Sequence, residues 1–190
     1  RAWARAGPTA RVVDPHLHSS LHDRALPSSG QRYEIRSARG TVTWMPSSPT
    51  LRIHLLGPLE VFVGDRRVSV DTRKALAIVA LVAAEARPFA RDELAAMFWP
   101  DADDEAARGA LRRTLSALRS AVGPRGIAID RARVTVDPAT TWVDLLELER
   151  LAASDRDADL EAAAALARGP FLAGFALRDS PDFDDWQAAR

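Results

Sequence analysis

The sequence predicts an α+β fold in which short antiparallel strands, three helices and a β-hairpin are followed by a wholly helical segment. Three observations predict this class. Between residues 51 and 70, apolar residues alternate or cluster over strand lengths, and glycine or proline separates the clusters. Residues 104–122 repeat an apolar residue every three or four positions, as one side of a helix does. Residues 127–136 alternate again around a short turn, which is typical of a hairpin.

Length and composition limit the class of protein. The chain has 190 residues, of which 47% are hydrophobic and 27% charged, as in a globular protein with a substantial core. It contains no cysteine, so it can form neither a disulfide nor a thiolate site. It shows no apolar run long enough to span a bilayer and no signal-peptide pattern. We therefore expect a cytoplasmic protein without a membrane partner.

The formal net charge is zero, but the charges are unevenly distributed. Residues 1–50 carry 7 basic and 3 acidic side chains (+4), residues 51–140 carry 14 and 12 (+2), and residues 141–190 carry 5 and 11 (−6). Within the middle part, the acids cluster at 101–105 and the arginines at 108–133. A local basic surface within a neutral chain is what a DNA-binding protein needs.

Residues 1–50 are predicted to be a disordered N-terminal extension. Proline and serine recur through them, and no apolar period survives between these residues. Met45 is the first methionine and lies shortly before the first convincing strand, so we expect it to be the natural start.

A histidine motif in this extension suggests an alternative, enzymatic function. Residues 12–18 (VVDPHLH) resemble the strand-end His-x-His that opens metal-dependent amidohydrolase barrels. Such a barrel needs about 250 residues of alternating strands and helices, and only His22 and His54 remain as further histidines. A polar linker is the favoured interpretation, so we predict no enzyme activity, no catalytic or metal-binding residues and no cofactor. Zinc or manganese bound by His16, His18 and His22 would instead support a metallohydrolase.

Ordered structure is predicted to begin at residue 51. The strands of a small antiparallel meander are expected at residues 51–56, 59–63 and 68–70. Residues 72–86 are apolar almost all round, which predicts a helix at the centre of the core. A second helix is predicted over residues 91–98, because Pro100 follows closely and cannot continue it.

The third helix, residues 104–122, carries the strongest functional signal. Its apolar stripe comprises Ala107, Leu111, Leu115, Leu118 and Val122. At about 100° per residue, Arg113 points directly away from that stripe, and Arg108, Arg112 and Arg119 flank the outer face. Four arginines beside small residues are typical of a recognition helix that enters a nucleic-acid groove. A merely solvated amphipathic helix is the alternative.

Two strands follow at residues 127–130 and 133–136, and they place Arg131 and Arg133 near the tip of a tight hairpin. Strands, three helices and a hairpin in this order make a winged helix-turn-helix. We assign this DNA-binding domain to residues 51–140.

Residues 51–140 resemble the winged-helix domain of the OmpR/PhoB type, in the version found in bacterial antibiotic-regulatory transcriptional activators (the SARP family, with its AfsR-like members). The resemblance is carried by LLGPLEV at 55–61, RKAL at 73–76, RDEL at 91–94, FWPD at 98–101, LRR at 111–113 and LR at 118–119. Two positions depart from the family. Ala90 replaces the usual Ser or Thr N-cap of the second helix, at a cost of about 1 kcal/mol. Ala117 stands where relatives often place another basic residue.

Residues 141–190 are acidic, alanine-rich and helical. Asp144 is predicted to cap a helix over 145–153, a second helix is expected over 159–168, and a third opens after Ser180. The segment resembles the first helices of the TPR-like activator domain that follows the winged helix in the same family. Since such arrays need about three repeats to bury a continuous core, we expect a truncated array. An ordinary helical subdomain is the alternative.

Together these features predict a sequence-specific, double-stranded DNA-binding transcriptional activator. The third helix would lie in the major groove, where Arg113 and then Arg112 are the best candidates to contact a guanine edge. Phosphates are expected to be held by Arg108, Ser116 and Arg119. Arg131 and Arg133 would reach the minor groove or its phosphate rim. A winged-helix module that binds protein and no DNA is the alternative function.

The family resemblance also implies particular partners. It implies paired binding at promoter direct repeats, with dimer contacts from the helical segment. The acidic stretch 100–105 cannot face DNA and, by the resemblance, faces RNA polymerase. We therefore expect a homodimer on DNA and a cytoplasmic, nucleoid-associated location.

Overall fold

The computed structural model describes residues 34–36, 42–44, 50–70, 72–123 and 126–190. Strand β1 (Glu34–Arg36) pairs antiparallel with strand β2 (Val42–Trp44). Both strands lie in the extension predicted to be disordered, so the structure differs from that prediction here. The two strands contain β-branched and aromatic residues, which favour extended pairing. The histidine motif at 16–22 and Met45 lie outside the described residues.

From residue 50 onward, strands and helices follow in nearly the predicted order. Three strands come first, β3 (Leu51–His54), β4 (Glu60–Val63) and β5 (Arg66–Arg67). Next are α1 (Arg73–Glu85), β6 (Phe89–Ala90), α2 (Arg91–Phe98) and α3 (Asp104–Val122). Three further strands are β7 (Ile127–Ile129), β8 (Arg133–Val136) and β9 (Thr141–Val143). The chain ends with α4 (Asp144–Ala152), α5 (Asp157–Leu166) and α6 (Pro181–Ala188).

The four-stranded sheet has the strand order β5-β4-β3-β9, and β9 runs parallel to β3. The strand predicted at residues 68–70 lies instead at Arg66–Arg67. A two-residue turn at Gly64 and Asp65 places Arg66 opposite Val63, so pairing starts earlier than the apolar pattern suggests. Gly64 has a φ of 58°, the left-handed conformation that glycine adopts readily. Residues 141–143 are assigned to the helical segment by the sequence, but as β9 they complete this sheet.

The three-stranded sheet has the order β6-β8-β7 and joins the hairpin to the start of α2. Ala90 pairs with Arg133, and the N–H of Arg91 donates to the carbonyl of Ala132 at 2.9 Å. Ala90 offers no side-chain acceptor to cap α2, as the sequence predicts. The Glu93 carboxylate instead accepts the N–H of Ala90 at 3.3 Å. The hairpin carbonyl therefore satisfies one of the N–H groups that the first turn of α2 leaves without an intrahelical partner.

One hydrophobic core extends from the β3–β4 sheet through the three helices to the C-terminal segment. Helix α1 is buried almost all round, as predicted, and the apolar stripe of α3 faces it. Leu172, Leu177 and Phe183 belong to the same core. The ring of Phe183 lies 5.5 Å from that of Phe98, the last residue of α2. The C-terminal segment thus shares its core with the three helices.

Asp144 does not cap a helix in the predicted way. Helix α4 begins at Asp144 itself, and the carboxylate accepts the N–H groups of Leu55 and Leu56 at 2.7 and 3.1 Å. It also accepts the N–H of Leu145 at 2.8 Å, and the Asp144 side chain is completely buried. The carboxylate therefore provides acceptors where strand β3 ends. Helix α5 begins two residues before the predicted start and ends at Leu166. Among the described residues, no helix is both long and apolar enough to cross a membrane.

Candidate nucleic-acid interface

Helix α3 presents its basic face outward. Its N-terminus is capped by Asp103, whose carboxylate accepts the N–H of Ala106 at 2.8 Å, and acidic residues fill the first turn. Acids at that end interact favourably with the positive end of the helix dipole. The buried residues of α3 include the whole predicted stripe and add Thr114. The predicted outer residues that are exposed are Arg108, Arg112, Arg113, Ser116 and Arg119.

Arg108 differs from the other arginines of this face. Its Nε lies 2.8 Å from Asp92 Oδ1, and its Nη2 lies 3.8 Å from Asp104 Oδ2. The hydrogen bond to Asp92 raises the pKa of Arg108 above its ordinary value. The pair links the first turn of α2 to the second turn of α3. Arg112, Arg113 and Arg119 form no ion pair within the part of the chain that the structure describes.

The hairpin tip is held by Asp130. One carboxylate oxygen of Asp130 accepts the N–H groups of Ala132 and Arg133, both at 2.7 Å. These two hydrogen bonds lower the pKa of Asp130, chiefly the bond from Ala132. Arg131 and Arg133 are exposed, and neither is ion-paired among the described residues. The turn therefore fixes the backbone that carries both arginines.

We expect the amide signals of Ala132 and Arg133 to titrate with Asp130. The folded-state pKa is lowered, so the bonds are present above that pKa and are lost as the pH falls through it. A pH series of NMR amide shifts should give a midpoint below the value of about 3.9 for an ordinary aspartate. A midpoint at or above about 3.9 at Ala132 would show that the tip is not closed in solution.

Two adjoining grooves run between α3, the start of α2 and the hairpin. One of about 350 Å³ is lined by Arg91, Arg112, Arg119 and Arg131, among others. The other, of about 480 Å³, is lined by Arg91, Arg108, Arg112, Arg131 and Arg133 together with Asp92. The structure thus brings the hairpin arginines together with three of the four predicted α3 arginines. Arg113 lines neither of these grooves, but it lines a third one together with Arg108 and Arg112.

Arg91 is a candidate interface residue that the sequence interpretation missed. It is half-buried at the first position of α2, and its Nε has no hydrogen-bond partner among the described residues. A cation in the first turn of a helix is disfavoured by the helix dipole. That unfavourable position could have indicated from the sequence that Arg91 interacts with a group outside its own helix. Arg91 lines both grooves.

The described residues contain no group of three or more histidine, aspartate or glutamate side chains that could hold a metal ion. The two grooves are lined by guanidinium groups and the Ser116 hydroxyl together with apolar residues, and Asp92 and Asp130 also line them. Such an arrangement can bind an anionic polymer, because guanidinium groups form charge-assisted, often bidentate hydrogen bonds with phosphate oxygens.

Comparison with solved structures shows what this chain is similar to. No family model and no curated protein matches the chain. The structure of Mycobacterium tuberculosis EmbR in complex with a low-affinity phosphopeptide is similar, with a TM-score of 0.55 and 26% sequence identity. The match covers 75% of this chain and 42% of the EmbR chain. This likeness to a regulator supports a mixed α/β, SARP-like fold for the chain.

Proposed function

We propose that this chain is a sequence-specific, double-stranded DNA-binding transcriptional activator, with residues 51–140 as its OmpR/PhoB-type winged helix-turn-helix. The likeness to EmbR supports the broader class of SARP-type transcriptional regulators. One observation carries the proposal. Five exposed guanidinium groups on α3 and the hairpin form no ion pair among the described residues, namely Arg112, Arg113, Arg119, Arg131 and Arg133.

The roles follow from position on the helix. Arg113 opposes the buried stripe of α3, so it is the first candidate to reach a guanine edge in the major groove, with Arg112 next. The side chain has room beside Gly109, where an added Cβ would lie 3.6 Å from Arg113 Nη1. Arg119 and Ser116 would hold phosphates, as would Arg108 once it releases Asp92. We add Arg91 to these proposed phosphate contacts, because it lines both grooves. Arg131 and Arg133 would lie along the minor groove.

The proposed assembly follows from the same family resemblance. We propose paired binding at promoter direct repeats as a homodimer, with residues 141–190 as the start of a TPR-like activator domain. The exposed acids 101–105 precede and open α3, where they would repel phosphate, so they are proposed to face RNA polymerase. A nucleoid-associated, cytoplasmic location would follow from DNA binding. No catalytic residue, metal or cofactor has a role in this proposal.

We expect alanine substitutions to divide the arginines into two groups. Arg113→Ala should lower the affinity for the best duplex site by about 1–3 kcal/mol and relax base choice at one position. Arg119→Ala, Arg131→Ala and Arg133→Ala should weaken binding to all sequences alike. Each should also reduce the steepness of the plot of log binding constant against log salt concentration, by about 0.9 for every phosphate that the variant no longer neutralises.

The measurement is a binding titration at several salt concentrations, using a site selected from random duplexes and single-base variants of it. Arg156→Ala is the matched control, because its exposed guanidinium lies beside α5, outside the proposed interface. That variant should leave the salt slope unchanged. A uniform loss across all duplexes in Arg113→Ala would contradict base reading by this residue. If the chain binds no duplex, or binds duplexes with an affinity that does not depend on salt, the alternative of a module that binds only protein would be favoured.

A further inference from the structure

A separate cavity of about 990 Å³ lies on the other flank of α3. The start of α1 forms one wall, α3 forms a second, and residues 176–179, which precede α6, form the third. Its position is distinct from the two grooves beside the hairpin, whose lining residues it does not share. The cavity therefore presents a second surface of the same helix.

The lining of the cavity is partly apolar. Ala110 and Ala117 leave space along α3, Leu177 is buried beside them, and the half-buried indole of Trp99 adds an aromatic surface. The volume lies at the upper end of the range of about 300–1,000 Å³ that is usual for small-molecule sites. An apolar or aromatic body of moderate size would therefore be desolvated there.

One cation of the cavity wall is already neutralised. Lys74 Nζ lies 2.8 Å from Asp179 Oδ2 and 4.9 Å from the centre of the Trp99 ring, and it also donates to the carbonyl of Phe98. Its ammonium group therefore ties residues 176–179 to α1 and the end of α2. The hydroxyl of Ser180 supports this link by donating to the same Phe98 carbonyl at 3.2 Å.

Three other cations of the wall have no such partner. Arg73 at the start of α1 is one of them, and its guanidinium carbon lies 4.9 Å from the centre of the Phe175 ring. Arg113 on α3 and Arg178 on the C-terminal segment are exposed and form no ion pair within the described part of the chain. Two guanidinium groups on a partly apolar cavity create a positive potential that one anionic group could neutralise. The hydroxyl of Thr114 lies on the same wall and can add a hydrogen bond.

We propose that this cavity binds a small organic anion that has an apolar or aromatic body and an acidic head group held by Arg113 and Arg178. The regulatory part rests on the proposed DNA-binding function. Arg113 is assigned both to this cavity and to the major groove, so occupancy of the cavity competes with base contact and weakens DNA binding. The ligand thus acts as a negative effector through the recognition helix itself.

The first test uses the aromatic sulfonate 1-anilinonaphthalene-8-sulfonate and needs no DNA. Its fluorescence with the full chain should saturate at one site. Arg178→Ala and Ala117→Trp should each weaken that binding by about tenfold or more, because one removes a charged hydrogen bond and the other fills the cavity. Arg131→Ala, which removes an unpaired guanidinium from the hairpin, is the matched control and should change binding less than about twofold.

The proposal would be overturned if Arg131→Ala weakened probe binding as much as Arg178→Ala does. It would also be overturned if Ala117→Trp left probe binding unchanged, or if the probe showed no saturable binding. Thermal melting of each variant verifies that probe binding does not report unfolding. A second arm measures duplex affinity with and without saturating probe, and affinity should fall in the wild-type chain. A probe that binds at the cavity but leaves duplex affinity unchanged would overturn the competition. Failure to bind any duplex would refute the DNA-binding proposal while the first arm still decides the cavity.

Discussion

We expect Leu115→Asp to abolish folding of the chain. Leu115 is 2% exposed and lies in the middle of the buried stripe of α3, between Leu111 and Leu118. A carboxylate there would be buried without a partner, which costs several kcal/mol. Domains of this size have only about 5–15 kcal/mol of stability in total. Circular dichroism at room temperature should show loss of helix, and heating should give no cooperative transition.

Ser116→Asp is the matched control for that substitution. It introduces the same charge one position further along the same helix, where the side chain is exposed. The variant should stay folded and should weaken binding to DNA by placing a negative charge near phosphate. A cooperatively folded Leu115→Asp chain would mean that the opposite face of α3 points into the core, and the assignment of the interface would then be wrong.

We expect Phe183→Ala to destabilise the entire described core by about 3–5 kcal/mol. Phe183 is completely buried, and its ring lies 5.5 Å from Phe98, 6.0 Å from Phe175 and 5.3 Å from Trp186. Removing it leaves a cavity between α6 and the end of α2. Urea unfolding followed by both tryptophan fluorescence and circular dichroism should show one transition at a lower midpoint.

The control for this prediction is Leu160→Ala. Leu160 lies on α5 and is 46% exposed, so losing its side chain should cost little. Two separated transitions, with Phe183→Ala lowering the midpoint of only one, would show that the C-terminal segment unfolds independently. A destabilisation below about 1 kcal/mol would mean that α6 does not pack on α2 in solution.

Helices and strands that are determined by residues close in the sequence could be predicted. The bounds of α2 and α3 agree with the prediction because each combines a helical apolar period with a recognisable start or stop. Strand β9 could not be predicted, since its three residues gain their structure by pairing with the distant strand β3, in the register Leu51 with Thr141. The role of Asp144 depends on the same kind of distant contact. Its carboxylate meets the end of β3, whereas the sequence around it shows only a plausible helix cap.

The candidate site shows the same limit. Helical geometry alone predicted which α3 arginines are exposed. It could not predict that Arg108 pairs with Asp92, which lies sixteen positions away on another helix. Nor could it place Arg113 at the edge of the cavity formed with residues 176–179, because those residues reach α3 only through the packing of the C-terminal segment. Pairing between separate elements decides which charges are available to a ligand.

The hydrogen bond from the Arg91 N–H to the Ala132 carbonyl has a mechanical consequence. Together with the pairing of Ala90 and Arg133, it connects the hairpin tip directly to the first turn of α2 through the backbone. If the chain binds a duplex as proposed, the duplex would have to adjust its groove width to fit this surface. The elastic cost of that adjustment depends on the base steps being deformed, including steps that no side chain touches. We therefore expect stiff and flexible steps, exchanged at uncontacted positions of the site, to change affinity while every protein–DNA contact stays the same.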